Sequence, residues 1–149
     1  MSEKEQNGKK KGNVHALFGT DKKAEQEGII IEYGDGEDAF SFRVARAGGS
    51  NKAYLKKLEA LCRPHLRQIK NDTLSRKKQQ EIMIKAYVGT VILGWTNVRD
   101  KTGTVLEFSH ENCTKLFKEY PDLFADLASE AGRANLFREE MLELARGNS

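Results

Sequence analysis

Apolar residues along the chain keep two rhythms, one of period two near the start and one of helical period from the middle onward. Ile29-Ile30-Ile31-Glu32-Tyr33 is β-branched and aromatic, and Gly34-Asp35-Gly36-Glu37-Asp38 is turn chemistry. Phe40, Phe42 and Val44 then alternate with Ser41, Arg43 and Ala45, which places the three on one face of a strand. Two such runs across an Asp-Gly turn predict a β-hairpin over about 29–46. A lone hairpin is marginal in water, so its apolar face must lie on helices or on another chain.

Helical spacing begins after Ala47-Gly48-Gly49, with Ser50 or Asn51 available as the N-cap. Tyr54, Leu55, Leu58, Leu61, Cys62, His65, Leu66 and Ile69 recur on one face and leave the lysines outside. Pro64 lacks an N–H and disfavours helical geometry before it, so it should kink or end this helix near Leu61 or Cys62. A second helix starts after Asn71-Asp72-Thr73, polar as far as Gln80. From Ile82 to Leu93 it reads as apolar almost all round and is ended by Gly94-Trp95. Such a helix is the expected centre of the core. Asp100-Lys101-Thr102-Gly103 predicts a turn between short extended pieces at Thr96–Val98 and Thr104–Phe108.

Ser109 is an N-cap candidate with Glu111 in the positive first turn, ahead of a helix that buries Cys113, Leu116 and Phe117. Pro121 suits the first position of the next helix, whose inner face is Leu123, Phe124, Leu127, Ala128 and Ala131. After a break near Gly132, Leu136, Phe137, Met141, Leu142 and Leu144 line a last helix. The pattern predicts a mainly α fold: a single helical domain with a small N-terminal β-hairpin and a short second β-turn element. Residues 28–149 form that domain. Residues 1–27, rich in Lys, Glu, Gln and Gly, read as a flexible basic and polar arm. Its one short apolar cluster, Val14, Ala16, Leu17 and Phe18, is where it can dock on a partner.

Composition narrows the function classes. With 149 residues, 38% hydrophobic and 32% charged, the chain has enough for one modest core under a heavily charged surface. Net charge is only +3, but it is unevenly spread. Residues 50–85 carry ten Lys/Arg against three acids, and residues 101–149 carry six bases against nine acids. The basic 50–85 segment admits a nucleic-acid-binding module, yet stacking aromatics are not interleaved with its lysines and arginines. Nucleic acid is therefore an unfavoured partner. The run from Ile82 to Trp95 is broken by Lys85, Thr90 and two glycines, short of the ~20 apolar residues of a membrane span. No signal peptide is visible, and Cys62 and Cys113 lack the spacing of a metal or redox pair. These features predict a soluble cytoplasmic protein without a membrane partner.

Reactive constellations are not evident either. His15, His65 and His110 are scattered, with no second ligand at metal spacing. The glycines of 34–36 lack the Lys-Ser/Thr of a phosphate loop and the βαβ setting of a dinucleotide site. Residues 34–38 also fall short of a twelve-residue calcium loop. Cys113 sits among Leu116 and Phe117 as a small core hydrophobe. The expectation is a non-catalytic, protein-binding chain with no cofactor and no metal.

One resemblance sharpens that expectation. Phe42-Arg43-Val44-Ala45-Arg46-Ala47-Gly48-Gly49-Ser50-Asn51-Lys52 resembles the strand-to-helix entry of tail assembly chaperones from long-tailed, siphovirus-type bacteriophages. Gly94-Trp95, Val98, Asp100, Gly103, Phe108-Ser109, Tyr120-Pro121-Asp122-Leu123-Phe124 and Phe137 follow the same family's order. The resemblance covers about Ile29 to Ala145.

It implies a helper that binds the tape measure protein, and tail tube subunits, in the host cell cytoplasm during tail building. The resemblance also implies that the chain oligomerises or binds in multiple copies and is absent from the mature virion. A longer form of the chain made by translational frameshifting is a further implied partner. The partner surfaces then expected are on the hairpin, the first helix and the last helix, through Phe40, Phe42, Tyr54, Lys56, Lys57, Arg67, Phe137 and Met141. The competing readings are the nucleic-acid module and a virion structural subunit of connector or tail type.

Overall fold

The computed structural model describes residues 12–138; of the expected last helix, Leu136 and Phe137 stand in a 3₁₀ turn, and Met141, Leu142 and Leu144 lie outside the described residues. The predicted hairpin is present. Strand β1 (Ile29–Tyr33) pairs antiparallel with β2 (Phe40–Val44), Ile29 opposite Val44 and Tyr33 opposite Phe40. A single 3₁₀ turn over Gly36–Asp38 closes it.

The fold class departs from the sequence reading. A third strand, β3 (Ile92–Thr96), lies antiparallel along the other edge of β2 and makes a sheet of order β1-β2-β3. The molecule is mixed α/β, with a strand supplied from mid-chain, rather than a helical domain carrying an N-terminal hairpin. The error lay in the apolar stretch after Ile82, which is two elements and not one. Helix α5 (Arg76–Tyr87) stops at Val88, which is already extended, and Gly89 follows at φ +86°. A Cβ on Gly89 would meet the His110 ring at 2.6 Å, so both the turn and the packing call for glycine. Val88, Thr90, Val91 and Ile92 are β-branched and suit the sheet. The all-round apolar girth was one face of a helix followed by a strand, which periodicity over a short run does not separate.

Besides α5, four helices follow β2. Helix α3 (Lys52–Cys62) is capped by Asn51, whose side chain accepts from the Tyr54 N–H at 3.2 Å. Pro64 acts as expected, ending α3 in a 3₁₀ turn over Arg63–His65 before the short α4 (Leu66–Lys70). Helix α6 (His110–Glu119) is capped by Ser109, and α7 (Pro121–Ala131) begins on Pro121. The expected turn at 100–103 is also present, its Asp100 side chain accepting from the N–H groups of Thr102 and Thr104. The flanking pieces pair only through one bridge, Arg99 to Val105.

The sheet's inner face rests on α6 and α7. Phe42 and Val44 of β2 are fully buried, and Phe42 stacks on Phe117 of α6 with ring centroids 6.1 Å apart. Phe117 in turn meets Phe124 of α7, and Phe124 meets Tyr87 of α5. A chain of aromatic rings thus ties sheet and helices into one core. Ahead of the sheet, α1 (Gly12–Phe18) and α2 (Lys22–Glu27) fall within the stretch read as an arm. Helix α2 is capped by Asp21 and packs beside a 3₁₀ turn over Ala134–Phe137.

Candidate functional site

Helix α3 lies against α5 and, with α4 continuing it beyond the Pro64 turn, forms a helical hairpin. Tyr54 of α3 packs edge-on against Tyr87 of α5 with centroids 5.2 Å apart. Lys57 Nζ donates to the Val88 carbonyl at 2.8 Å, satisfying an acceptor left free at the end of α5. Both contacts pin the base of the hairpin. Toward its tip the packing loosens, and a cavity of about 260 Å³ opens between α4 and α5, lined by Cys62, Ile69, Leu74, Ile82 and Met83.

The tip and outer face carry the unexpected feature. Leu55, Leu66 and Ile69, placed by helical spacing on the buried face, are 46%, 58% and 42% exposed. Pro64 is the physical reason for the last two. Its 3₁₀ turn advances the chain by more than 100° per residue, so α4 no longer presents the face that α3 buries. These three apolar side chains share the surface with exposed Lys52, Lys56, Arg67, Lys70, Arg76 and Lys77. Acidic partners are few: Arg63 pairs with Glu59 at 3.2 Å and Lys78 with Glu81 at 3.7 Å. The result is a basic helical segment with three exposed apolar side chains, two of them one turn apart on α4.

The residues expected to meet a partner are divided by the fold. Lys56 and Arg67 are exposed on the hairpin. Lys57 is half-buried and occupied by Val88. Phe42, Tyr54 and Phe137 are interior, at 0%, 6% and 0% exposure, and hold the core together. Phe40 is half-buried at the hairpin end, stacked on Tyr33 at 5.2 Å. Leu55, Leu66 and Ile69 were readable in the sequence as apolar, but nothing in their spacing marked them as exposed.

A second recess lies at the far pole, where the β1–β2 turn meets the junction of α6 and α7. It has a volume of about 650 Å³, with Phe40, Leu116 and Leu123 as its apolar lining and Asp38, Glu119 and Asp122 among its polar lining. Among the described residues, no group of three or more His, Cys, Asp or Glu could hold a metal ion. The Cys113 thiol is pushed up to about 12 by burial, so it stays protonated and unreactive at neutral pH.

One buried ionic cluster is structural. Glu25 of α2, 2% exposed, is paired with Arg46 at 3.3 Å and accepts from the Ser50 N–H at 2.9 Å and from the Thr20 hydroxyl. Burial alone would raise its pKa, but the hydrogen bonds from Thr20 and Ser50 and the Arg46 charge together hold it below the ordinary value. A Cβ on Gly49, at φ +54°, would lie 2.0 Å from Glu25 Oε2. The Gly48-Gly49-Ser50-Asn51 turn thus brings backbone against a carboxylate and then caps α3.

Comparison with known proteins follows the same turn. The family model described as YdaY prophage protein matches residues 49–148, two thirds of the chain, starting at Gly49. The chain belongs to the YdaY prophage protein family. It is phage-derived, and the region shared with that family takes in the helical hairpin, β3, α6 and α7, while β1 and β2 precede it. No curated protein and no solved structure is significantly similar to it.

Proposed function

We propose that this YdaY family member is a non-catalytic tail assembly chaperone of a long-tailed phage, which covers apolar helical stripes of the tape measure protein during tail building in the host cytoplasm. The observation that carries this reading is the exposed apolar pair Leu66 and Ile69 on α4, with Leu55 exposed on α3, among lysines and arginines. Apolar side chains left exposed on a basic helical surface match the helix-in-groove mode, in which an amphipathic helix lays its stripe along another element. The basic surround favours a partner helix flanked by Asp and Glu. Phage origin and the resemblance of Phe42–Lys52 to the chaperones' strand-to-helix entry support the same reading. Tail tube subunits, displacing the chaperone as the tube grows, are the second partner, and the mature virion lacks the chain.

The test is capture of a tape measure protein of the same phage by purified protein at low salt, read against Leu66→Asp and Ile69→Asp. Retention by the parent and at least ~10-fold weaker retention by both variants is the expected result, since a charge introduced into an apolar contact costs more than 1.4 kcal/mol. Folded parent protein that fails to retain the tape measure protein would sink the proposal.

A nucleic-acid module is the second reading, favoured by the basic excess of residues 50–85 alone. The hairpin argues against it, because Tyr54 and Tyr87, which could stack on bases, face the interior.

A further inference from the structure

Among the described residues, helix α1 turns an apolar face away from the core. Val14, Leu17 and Phe18 stand at i, i+3 and i+4, one face of the helix, and are 67%, 56% and 73% exposed. Lys9, Lys10 and Lys11 directly precede it in the sequence. The far-pole groove is its complement: an apolar lining from Phe40, Leu116 and Leu123, with Asp38, Glu119 and Asp122 beside them. Glu119 is paired with Lys101 at 2.6 Å, and Arg99, also at the groove, donates to Asn97 Oδ1 and to the Gly103 carbonyl at 3.1 Å each. Asp38 and Asp122 are exposed, so among the described residues two carboxylates outside any ion pair stand at the rim against the one Arg99 cation.

We infer that α1 of one copy docks in this groove of a second copy, joining chains head to tail. A chain's own α1 cannot fill its own groove. The Asp21 N–H donates to the Phe137 carbonyl and the Thr20 hydroxyl to Glu25, so α1 is anchored beside the C-terminal end of α7. The groove lies at the other end, where Pro121 starts that helix. Eleven helical residues separate the poles by about 16 Å. Phe18 is two residues from the anchored Thr20, a reach of at most ~7 Å. An α1 helix therefore reaches the groove only from another molecule. Because the contact joins two different surfaces, each copy keeps one free α1 and one free groove, and association continues in one direction. This surface is separate from the helical hairpin, so either interaction can fail without the other.

The experiment is analytical ultracentrifugation of the full chain over a concentration series, with Phe18→Asp as the helix variant and Leu123→Asp as the groove variant. The parent is expected to populate dimers and larger species, and each variant alone to weaken association at least ~10-fold. Mixed together, the two variants should form a one-to-one dimer and nothing larger, because one intact helix and one intact groove remain between them. If Leu123→Asp loses its circular dichroism, the double reversal Asp38→Lys, Asp122→Lys replaces it, with the same expectation.

A monomeric parent at high concentration, or association unchanged by Phe18→Asp, overturns the proposal. So does failure of the mixed variants to pair. A chain ended after Arg138 should associate like the parent. If that truncation alone dissociates it, the groove's occupant is the C-terminal segment and the inference is wrong.

Discussion

Glu25 shows how one residue couples an N-terminal helix to the rest of the fold. Its carboxylate receives the Ser50 N–H and the Arg46 guanidinium, two groups on either side of the Ala47–Gly49 turn, and so ties α2 to the exit of β2. Glu25→Gln keeps an acceptor oxygen but removes the charge, leaving Arg46 without its partner. The expected cost is about 1–3 kcal/mol, measured by urea denaturation, with the native circular dichroism retained. Acid should act on the same contact. A carboxylate held below its ordinary value of 4.5 contributes stability that is complete above that value and is lost as the pH falls through the lower folded one. The parent should therefore lose stability more steeply than Glu25→Gln as the pH drops below 4.5, a difference that converges the two proteins in acid. The sequence showed Glu25 only as one charge in a polar stretch, because its partners are 21 and 25 residues away and lie beyond any local pattern.

At the scale of elements, local signals and tertiary context divided the work. Caps and breakers were legible: Asn51, Ser109, Pro64 and Pro121 each act within a turn of their own position, so neighbours alone determine what they do. The β1–β2 pair was legible for the same reason, since its strands are joined by six residues. β3 was not. Its partner β2 is some fifty residues earlier, and the two meet only after α3, α4 and α5 have turned the chain back. Ile92 opposite Val44 is fully buried, whereas Leu93 next to it is half-buried. Ile92→Ala should cost about 2–5 kcal/mol by thermal or urea unfolding, and Leu93→Ala distinctly less. Equal costs at the two positions would contradict the alternation a strand imposes.

The whole molecule has a charged axis. The helical hairpin concentrates the basic residues of the 50–85 segment, and the opposite pole holds the acidic groove beside α7. Association through the hairpin should therefore respond to salt in a way that separates the two readings of its charge. A protein partner docked on Leu55, Leu66 and Ile69 keeps its apolar contact, so its affinity should fall only modestly between 50 mM and 200 mM salt. A nucleic acid held by phosphate contacts would lose about 10³-fold or more over that range. Titration of tape measure protein and of duplex DNA across the two salt concentrations reads the difference directly.

By itself the sequence determined the caps and prolines that bound α3, α6 and α7, that Ile29 to Val44 is a hairpin, and that one core of modest size lies under a charged surface. Each of these rests on interactions within a few residues, or on composition. Tertiary structure alone decided that the apolar stretch after Ile82 is split between a helix and a strand. It also decided that Phe42, Tyr54 and Phe137 are interior, and that Leu55, Leu66 and Ile69 are left facing water. An apolar side chain carries the same preference wherever it stands, and whether that preference is met depends on what the rest of the chain brings to it.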